Sequence, residues 1–213
     1  MIPAIKKFNI VRLLLSKSIF DDNVIHCILT YYWKLLDNKR KVLLPWININ
    51  KLYWNKLSRN PNAIDILREK IKNDKTLTAK EYYNLDLYNV VDWEYLSANP
   101  NAIQLLLENK NKIIWYWLSK NPNAIELLKE NQDKINWDIL SLNPNAIDLL
   151  LENEDKINWN NLSLNQSEKA IEILSNNLDN INWDNLSSNP SAINILLRNF
   201  NKINYETLVL NQN

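Results

Sequence analysis

The phrase Trp-x-x-Leu-Ser-x-Asn-Pro-Asn-Ala-Ile-x-Leu-Leu-x-x-Asn-x-x-Lys-Ile-Asn recurs along most of this chain, and no other feature constrains its fold as tightly. It runs from Trp54 through Trp93, Trp115, Trp137, Trp159 and Trp183 to Tyr205, at intervals of 39, 22, 22, 22, 24 and 22 residues. A fixed period of that size marks an array of stacked supersecondary units, none of which can bury its apolar face alone.

The unit starting at Trp137 shows what each repeat is expected to build. Asn143-Pro144 reads as an N-cap followed by the first residue of a helix, since the Asn oxygen accepts orphan N–H groups and Pro loses no hydrogen bond there. The helix then spans 144–152, with Ala146, Ile147, Leu149 and Leu150 as its apolar stripe and Asn153 closing it. Asn136 caps a second, shorter helix that begins at the tryptophan; Asn158, Asn182 and Asn204 hold the same place, and Asp92 substitutes. Nothing alternates with period two, so strands are not expected. Glycine is absent from all 213 residues, and asparagine is expected to take over its left-handed helix-ending role.

The fold class that follows is all-α. An α-solenoid of about six repeats, each a pair of short antiparallel helices, occupies 51–213 behind a divergent helical N-terminal cap over 1–50. Two departures interrupt the period. An insertion at about 73–89 adds 17 residues, and within it Thr78 is placed to cap a helix carrying tyrosines. The 24-residue unit replaces Asn-Pro-Asn-Ala with Asn165-Gln166-Ser167-Glu168-Lys169-Ala170, where Ser167 becomes the cap. A truncated half repeat begins at about 203, with Tyr205 for Trp and Val209 for Ser.

Charge and composition exclude several functions. The net charge of +1 divides into +5 over residues 1–42 and −4 over the rest, and an acidic array is a poor tracker of phosphate backbone. Helical repeats that read one base per unit need variable polar side chains, and the positions after each Trp do vary, but they lack Arg. No run approaches the length of a membrane-spanning helix, and the first 20 residues lack a small-residue cleavage site, so a cytoplasmic protein is expected. Asn-x-Ser triplets at Asn161, Asn165 and Asn185 read as repeat consensus rather than glycosylation sites.

The string Leu-Ser-x-Asn-Pro-Asn-Ala-Ile, at 96–103, 118–125 and 140–147, resembles the tandem repeats of uncharacterised proteins in giant DNA viruses of the mimivirus type. The Asn-, Lys- and Ile-rich, glycine-free composition agrees with an A/T-rich genome. The resemblance covers about residues 50–213 and implies a repeat protein of host cytoplasm or virion, with no catalytic residues to carry over. By period and helix length the fold is similar to leucine-rich-variant and other short α-helical solenoids.

Catalytic chemistry finds no support in the residues. His26 is the only histidine and Cys27 the only cysteine; they sit side by side among apolar residues, with no second histidine for a metal or a proton shuttle. Without glycine there is no phosphate-binding loop. The recurring columns Asp65, Gln104, Glu126, Asp148, Glu172, Asn194 and Glu69, Glu108, Glu130, Glu152 supply equal environments, whereas acid–base catalysis needs unequal ones. They read as a solvated face. The in-register tryptophans read as core, and the off-register Trp117 as the exposed one.

The function expected is a non-catalytic scaffold for protein–protein interaction, with no cofactor, no metal and no small-molecule ligand. The alternative is a structural component of a viral particle or a self-assembling protein; a nucleic-acid-binding repeat is disfavoured. Partner contacts are expected at Tyr82, Tyr83 and Tyr88 of the insertion and at Trp117, since aromatic-rich insertions on rigid scaffolds often carry binding.

Overall fold

The computed structural model describes residues 48–77 and 87–211. The cap expected over 1–50 therefore lies outside the described residues, apart from a 3₁₀ turn at Ile49–Lys51. Among the described residues every regular element is helical, and the short helices recur in a repeated arrangement, as an all-α repeat fold requires. The chain divides into two compact units, residues 1–105 and 106–213.

In the first unit, α1 (Trp54–Leu57) leads to α2 (Ile64–Asp74), a 3₁₀ turn at Leu87–Asn89, α3 (Trp93–Ala98) and the start of α4 (Ile103–Leu107). The second unit alternates Trp-initiated helices with Ile-initiated ones. They are α5 (Trp115–Ser119), α6 (Ile125–Lys129), α7 (Trp137–Leu140), α8 (Ile147–Leu151) and α9 (Trp159–Leu162). The series continues with α10 (Glu168–Asn176), α11 (Trp183–Ser187), α12 (Ile193–Arg198) and α13 (Tyr205–Leu208). Trp helices pack on one another, α5 with α7 and α11 with α13. Helices of four to six residues are far below the length that is stable alone, so their order comes from neighbouring repeats.

The caps at the Trp helices fall where the sequence puts them. Asn136 accepts from the Ile139 N–H at 2.9 Å, Asn158 from Asn161 at 3.0 Å and Asn182 from Asn185 at 2.9 Å. Asp92 accepts from Glu94 and Tyr95, and Asn204 from Glu206 and Thr207. Ser167 caps α10 by accepting from the Ala170 N–H at 3.3 Å, so the longer unit keeps its helix.

Two expectations fail. Asn143-Pro144 does not begin an α-helix, because α8 starts at Ile147. Residues 143–146 form a turn closed by the Ala146 N–H on the Asn143 carbonyl at 3.1 Å, while the Asn143 side-chain oxygen accepts the Asn145 N–H. The same pair of bonds recurs at Asn60, Asn99 and Asn121. Pro fits the second place of a turn as well as the first place of a helix, because both need φ near −65°. Only at Asn189 does the segment run on as a 3₁₀ helix, Pro190–Ala192.

The second failure concerns the helix ends. Asn109, Asn131, Asn153, Asn177 and Asn199 follow the second helices, as expected, but with φ between −141° and −133° rather than in the left-handed region. They act through their side chains instead. The amides of Asn131, Asn153, Asn177 and Asn199 each donate to the carbonyl four residues back, at 2.8–3.0 Å. A helix ended this way needs no positive φ, and so no glycine.

The core is one leucine from each Trp helix with the alanine and a leucine of the following segment. Leu57, Ala63 and Leu67 do this in the first unit; Leu140, Ala146 and Leu150, or Leu162, Ala170 and Leu174, do so in the second.

Candidate interaction surface

The polar residues of the repeat are used up in bonds between repeats. The serine after each core leucine is buried, and its hydroxyl donates to the tryptophan carbonyl four residues back: Ser119 to Trp115, Ser141 to Trp137, Ser163 to Trp159 and Ser187 to Trp183, at 2.7–2.9 Å. The same oxygens accept the N–H of the next repeat's capping residue, Asn136, Asn158, Asn182 and Asn204, at 3.0–3.1 Å. Ser58 does this for Asp92 in the first unit, 34 residues on where the separation elsewhere is 17 or 19. The insertion therefore leaves the contact between its two flanking repeats unchanged.

A second ladder is built from the Asn of Asn-Pro. Asn143 donates to the carbonyls of Ser119 and Asn121, both at 3.0 Å, and Asn189 to those of Ser163 and Asn165. Asn165 donates to Ser141, Asn211 to Ser187 and Asn189, and in the first unit Asn99 to Ser58. Asn99, Asn143, Asn165 and Asn189 are all at most 2% exposed. A third, outer ladder joins Asn158 to Asp138, Asn182 to Asn160 and Asn204 to Asp184 through side-chain amides. These roles also account for all three Asn-x-Ser triplets: the Asn165 amide is buried in a ladder, and Ser163 and Ser187 are the buried stitches.

The tryptophans depart from the core expectation. Trp54 is buried at 3% exposure, but Trp93, Trp115, Trp137, Trp159 and Trp183 are half-buried. Over two of these rings stands a lysine of the following repeat. Lys134 sits 4.8 Å from the Trp115 ring centre and Lys156 4.7 Å from that of Trp137, close enough for cation–π attraction. In the first unit Lys70 lies 5.6 Å from Trp54, and Arg59 stacks 3.6 Å over Tyr95. The signal for the Trp115 and Trp137 pairs was the Lys of Lys-Ile-Asn, which returns three residues before the Trp of its own repeat.

Of the residues singled out for partner contact, Tyr82 and Tyr83 lie outside the described residues, as do Thr78, His26 and Cys27. Tyr88 is half exposed in the 3₁₀ turn that packs on α1, its ring edge-on to Tyr53 at 5.1 Å. Trp117 is half-buried and meets Tyr116 edge-on at 5.3 Å; Tyr116 is the more exposed of the two. Tyr88 and Trp117 belong to different units.

The acidic columns are exposed throughout, from Asp65 and Glu69 to Glu152 and Glu172. Within 106–213 as a whole, fourteen acidic side chains stand against nine basic, a net charge of −5. Lys169 reaches Asp148 of the preceding repeat at 2.7 Å, and Lys129 reaches Glu126 at 3.7 Å. Among the described residues no group of three or more metal-ligating side chains comes together, and no helix is long and apolar enough to cross a membrane. No family model, no curated protein and no solved structure matches the chain.

Proposed function

We propose that the chain is a non-catalytic scaffold that binds a protein partner through the lateral face of its repeats. The observation that supports this is a division of labour: the repeated Ser and Asn residues are consumed in bonds between repeats, while the non-consensus positions beside them stand exposed at regular intervals. Such an array offers a rigid, evenly spaced surface with little cost of ordering on binding. The excess of carboxylates over 106–213 selects a basic partner, because charge complementarity governs encounter and partner choice.

Affinity capture from cell lysate with the full chain tests the scaffold reading, using nuclease treatment to remove nucleic-acid bridges. Reversing three exposed carboxylates, Glu130→Lys, Glu152→Lys and Glu172→Lys, is expected to abolish capture of a basic protein. The pair Tyr82→Ala and Tyr83→Ala tests the insertion separately. A captured set that neither variant changes would refute a lateral binding face.

A further inference from the structure

The outer ladder of the second unit lacks one rung. Asn136 stands on α5 as Asn158 stands on α7: each gives its backbone N–H to the serine of the preceding Trp helix, Ser119 or Ser141, at 3.0 Å. The two seams therefore share one register. At the later seam Asn158 also gives its side-chain amide to the Asp138 carboxylate at 2.7 Å, and Asn161 gives its own to the Asp138 carbonyl at 2.8 Å. Asn160 receives the same two bonds from Asn182 and Asn185, and Asp184 from Asn204 and Thr207. At the α5 seam the acceptor place is taken by Tyr116 and the second donor place by Ile139. The Asn136 amide consequently donates to nothing among the described residues, and Ile139 has no donor for the Tyr116 carbonyl. Tyr116 is 46% exposed and meets Trp117 edge-on, while Ile114, in the place of the capping Asn, is exposed as well. The opening lies inside the array, with α7, α9, α11 and α13 after it.

We infer that the missing rung is supplied by a short acidic segment of a partner protein, whose carboxylate accepts from the Asn136 amide beside Tyr116 and Trp117. The array itself shows the group that fits: in two of the three closed rungs the acceptor is an aspartate carboxylate, Asp138 or Asp184. Charge agrees. Lys120 follows Tyr116 by four residues in helical backbone conformation, so it shares that side of α5. It is exposed and in no ion pair among the described residues, and no acid stands between Glu108 and Glu126 in the sequence. Asp138, the acid of the next rung, is held by Asn158. The rings supply the apolar area that Tyr and Trp give at the centres of binding surfaces. A nucleic acid also fits rings and a lysine, but a long polyanion meets the unit's net −5, whereas one carboxylate needs only Asn136 and Lys120. The inference deepens the scaffold reading at a second edge, built from residues other than the lateral carboxylates.

Selection of a phage-displayed random peptide library on the full chain, followed by fluorescence anisotropy of the enriched peptides, tests it. Those peptides are expected to share an Asp or Glu next to an apolar residue. Tyr116→Asp restores the group found at 138 and 184, so it should close the rung from within, keep the circular dichroism spectrum, and weaken peptide binding by about tenfold or more, as losing one charge-assisted bond implies. Lys120→Ala should weaken binding and flatten its salt dependence. The triple variant Glu130→Lys, Glu152→Lys and Glu172→Lys should bind the peptides at least as tightly as the wild type. No enrichment, enrichment of peptides without an acid, or undiminished binding by Tyr116→Asp or Lys120→Ala overturns the inference. So does a single-stranded oligothymidylate held by the wild type and released by Tyr116→Asp, which would make this edge a nucleic-acid site. A triple variant that loses its captured protein but keeps the peptides removes nothing here, so the two edges fail separately.

Discussion

Asn143→Ala isolates the claim that the buried asparagines, rather than the apolar stripe alone, join one repeat to the next. The side chain is 1% exposed and makes three hydrogen bonds, to the Ser119 and Asn121 carbonyls and from the Asn145 N–H. The three losses are unequal. Asn121 keeps the Ala124 N–H as donor, and Asn145 is exposed enough for water to replace its lost acceptor. Among the described residues, Asn143 supplies the only donor to the Ser119 carbonyl, at the end of α5, which is left buried and unsatisfied. One such orphan costs about 1–3 kcal/mol and each of the other two bonds about 0.5–1.5, so the total is roughly 2–6 kcal/mol. Even the lower figure should lower Tm by about 4 °C in a chain of this length. Urea unfolding followed by circular dichroism and tryptophan fluorescence gives the same quantity. Asn143→Asp separates donor from bulk, since it keeps size and the acceptor for Asn145 but turns a carboxylate toward two carbonyls; it should be no better than alanine. Asn145→Ala is the control: its amide donates to the Pro122 carbonyl at 3.0 Å in solvent, and its loss should cost ~1 kcal/mol or less. If the Asn143 variants behave like Asn145→Ala, the ladder is incidental to stability and the reasoning fails.

The remaining expectations follow from the other polar positions. Ser163→Ala removes a fully buried hydroxyl and leaves the part-buried Asn182 N–H without its acceptor, and should cost about 1–3 kcal/mol by denaturant unfolding; a neutral result would mean that water fills the gap. Ser167→Ala removes the cap of α10 and should cost about 0.5–2 kcal/mol, with faster amide exchange confined to the first turn of Glu168–Asn176; uniform loosening of the unit would contradict a local role. Lys156→Ala should open Trp137 to acrylamide quenching at a stability cost of ~1 kcal/mol or less, and unchanged quenching would deny the contact. Lys169→Ala, by contrast, breaks a pair whose side chains are 62% and 66% exposed, so it should cost ~1 kcal/mol or less, and less still in high salt.

The period, the helical class and the capping residues were legible because they depend on bonds made within a few residues of sequence. Asn136, Asn158 and Asn182 precede a Trp helix, and a local rule suffices to say what they do. Asn143 looks identical to them in sequence: a polar residue before a helix-compatible proline. Its defining bonds reach 22 and 24 residues back, and no local rule separates a capping oxygen from an amide that spans two repeats. The serine stitch was hidden for the same reason, since its second partner lies 17 residues on. Tryptophan burial was overestimated because an apolar residue at a repeated place can face a neighbour on one side and solvent on the other. The lysine that covers the open side of Trp115 or Trp137 comes from the next repeat. The candidate surface was legible only as exposed columns of acid.

These bonds explain how a chain without glycine turns so sharply and so often. Within one repeat asparagine holds distinct places: it caps the Trp helix, closes the proline turn while donating to the preceding repeat, and ends the second helix through its own amide. Its carboxamide offers both an acceptor and two donors on a short stem, so one side chain can close a turn and bind a neighbouring repeat at once. Asp92 shows the limit of substitution. It accepts two N–H bonds at its helix start as well as any asparagine, but an ionised carboxylate has nothing to donate to the repeat before it. At the buried ladder, where Asn99, Asn143, Asn165 and Asn189 each donate to carbonyls of the preceding repeat, only the amide serves both needs. Asparagine at that place is thus what the stacking geometry requires, quite apart from any bias in composition.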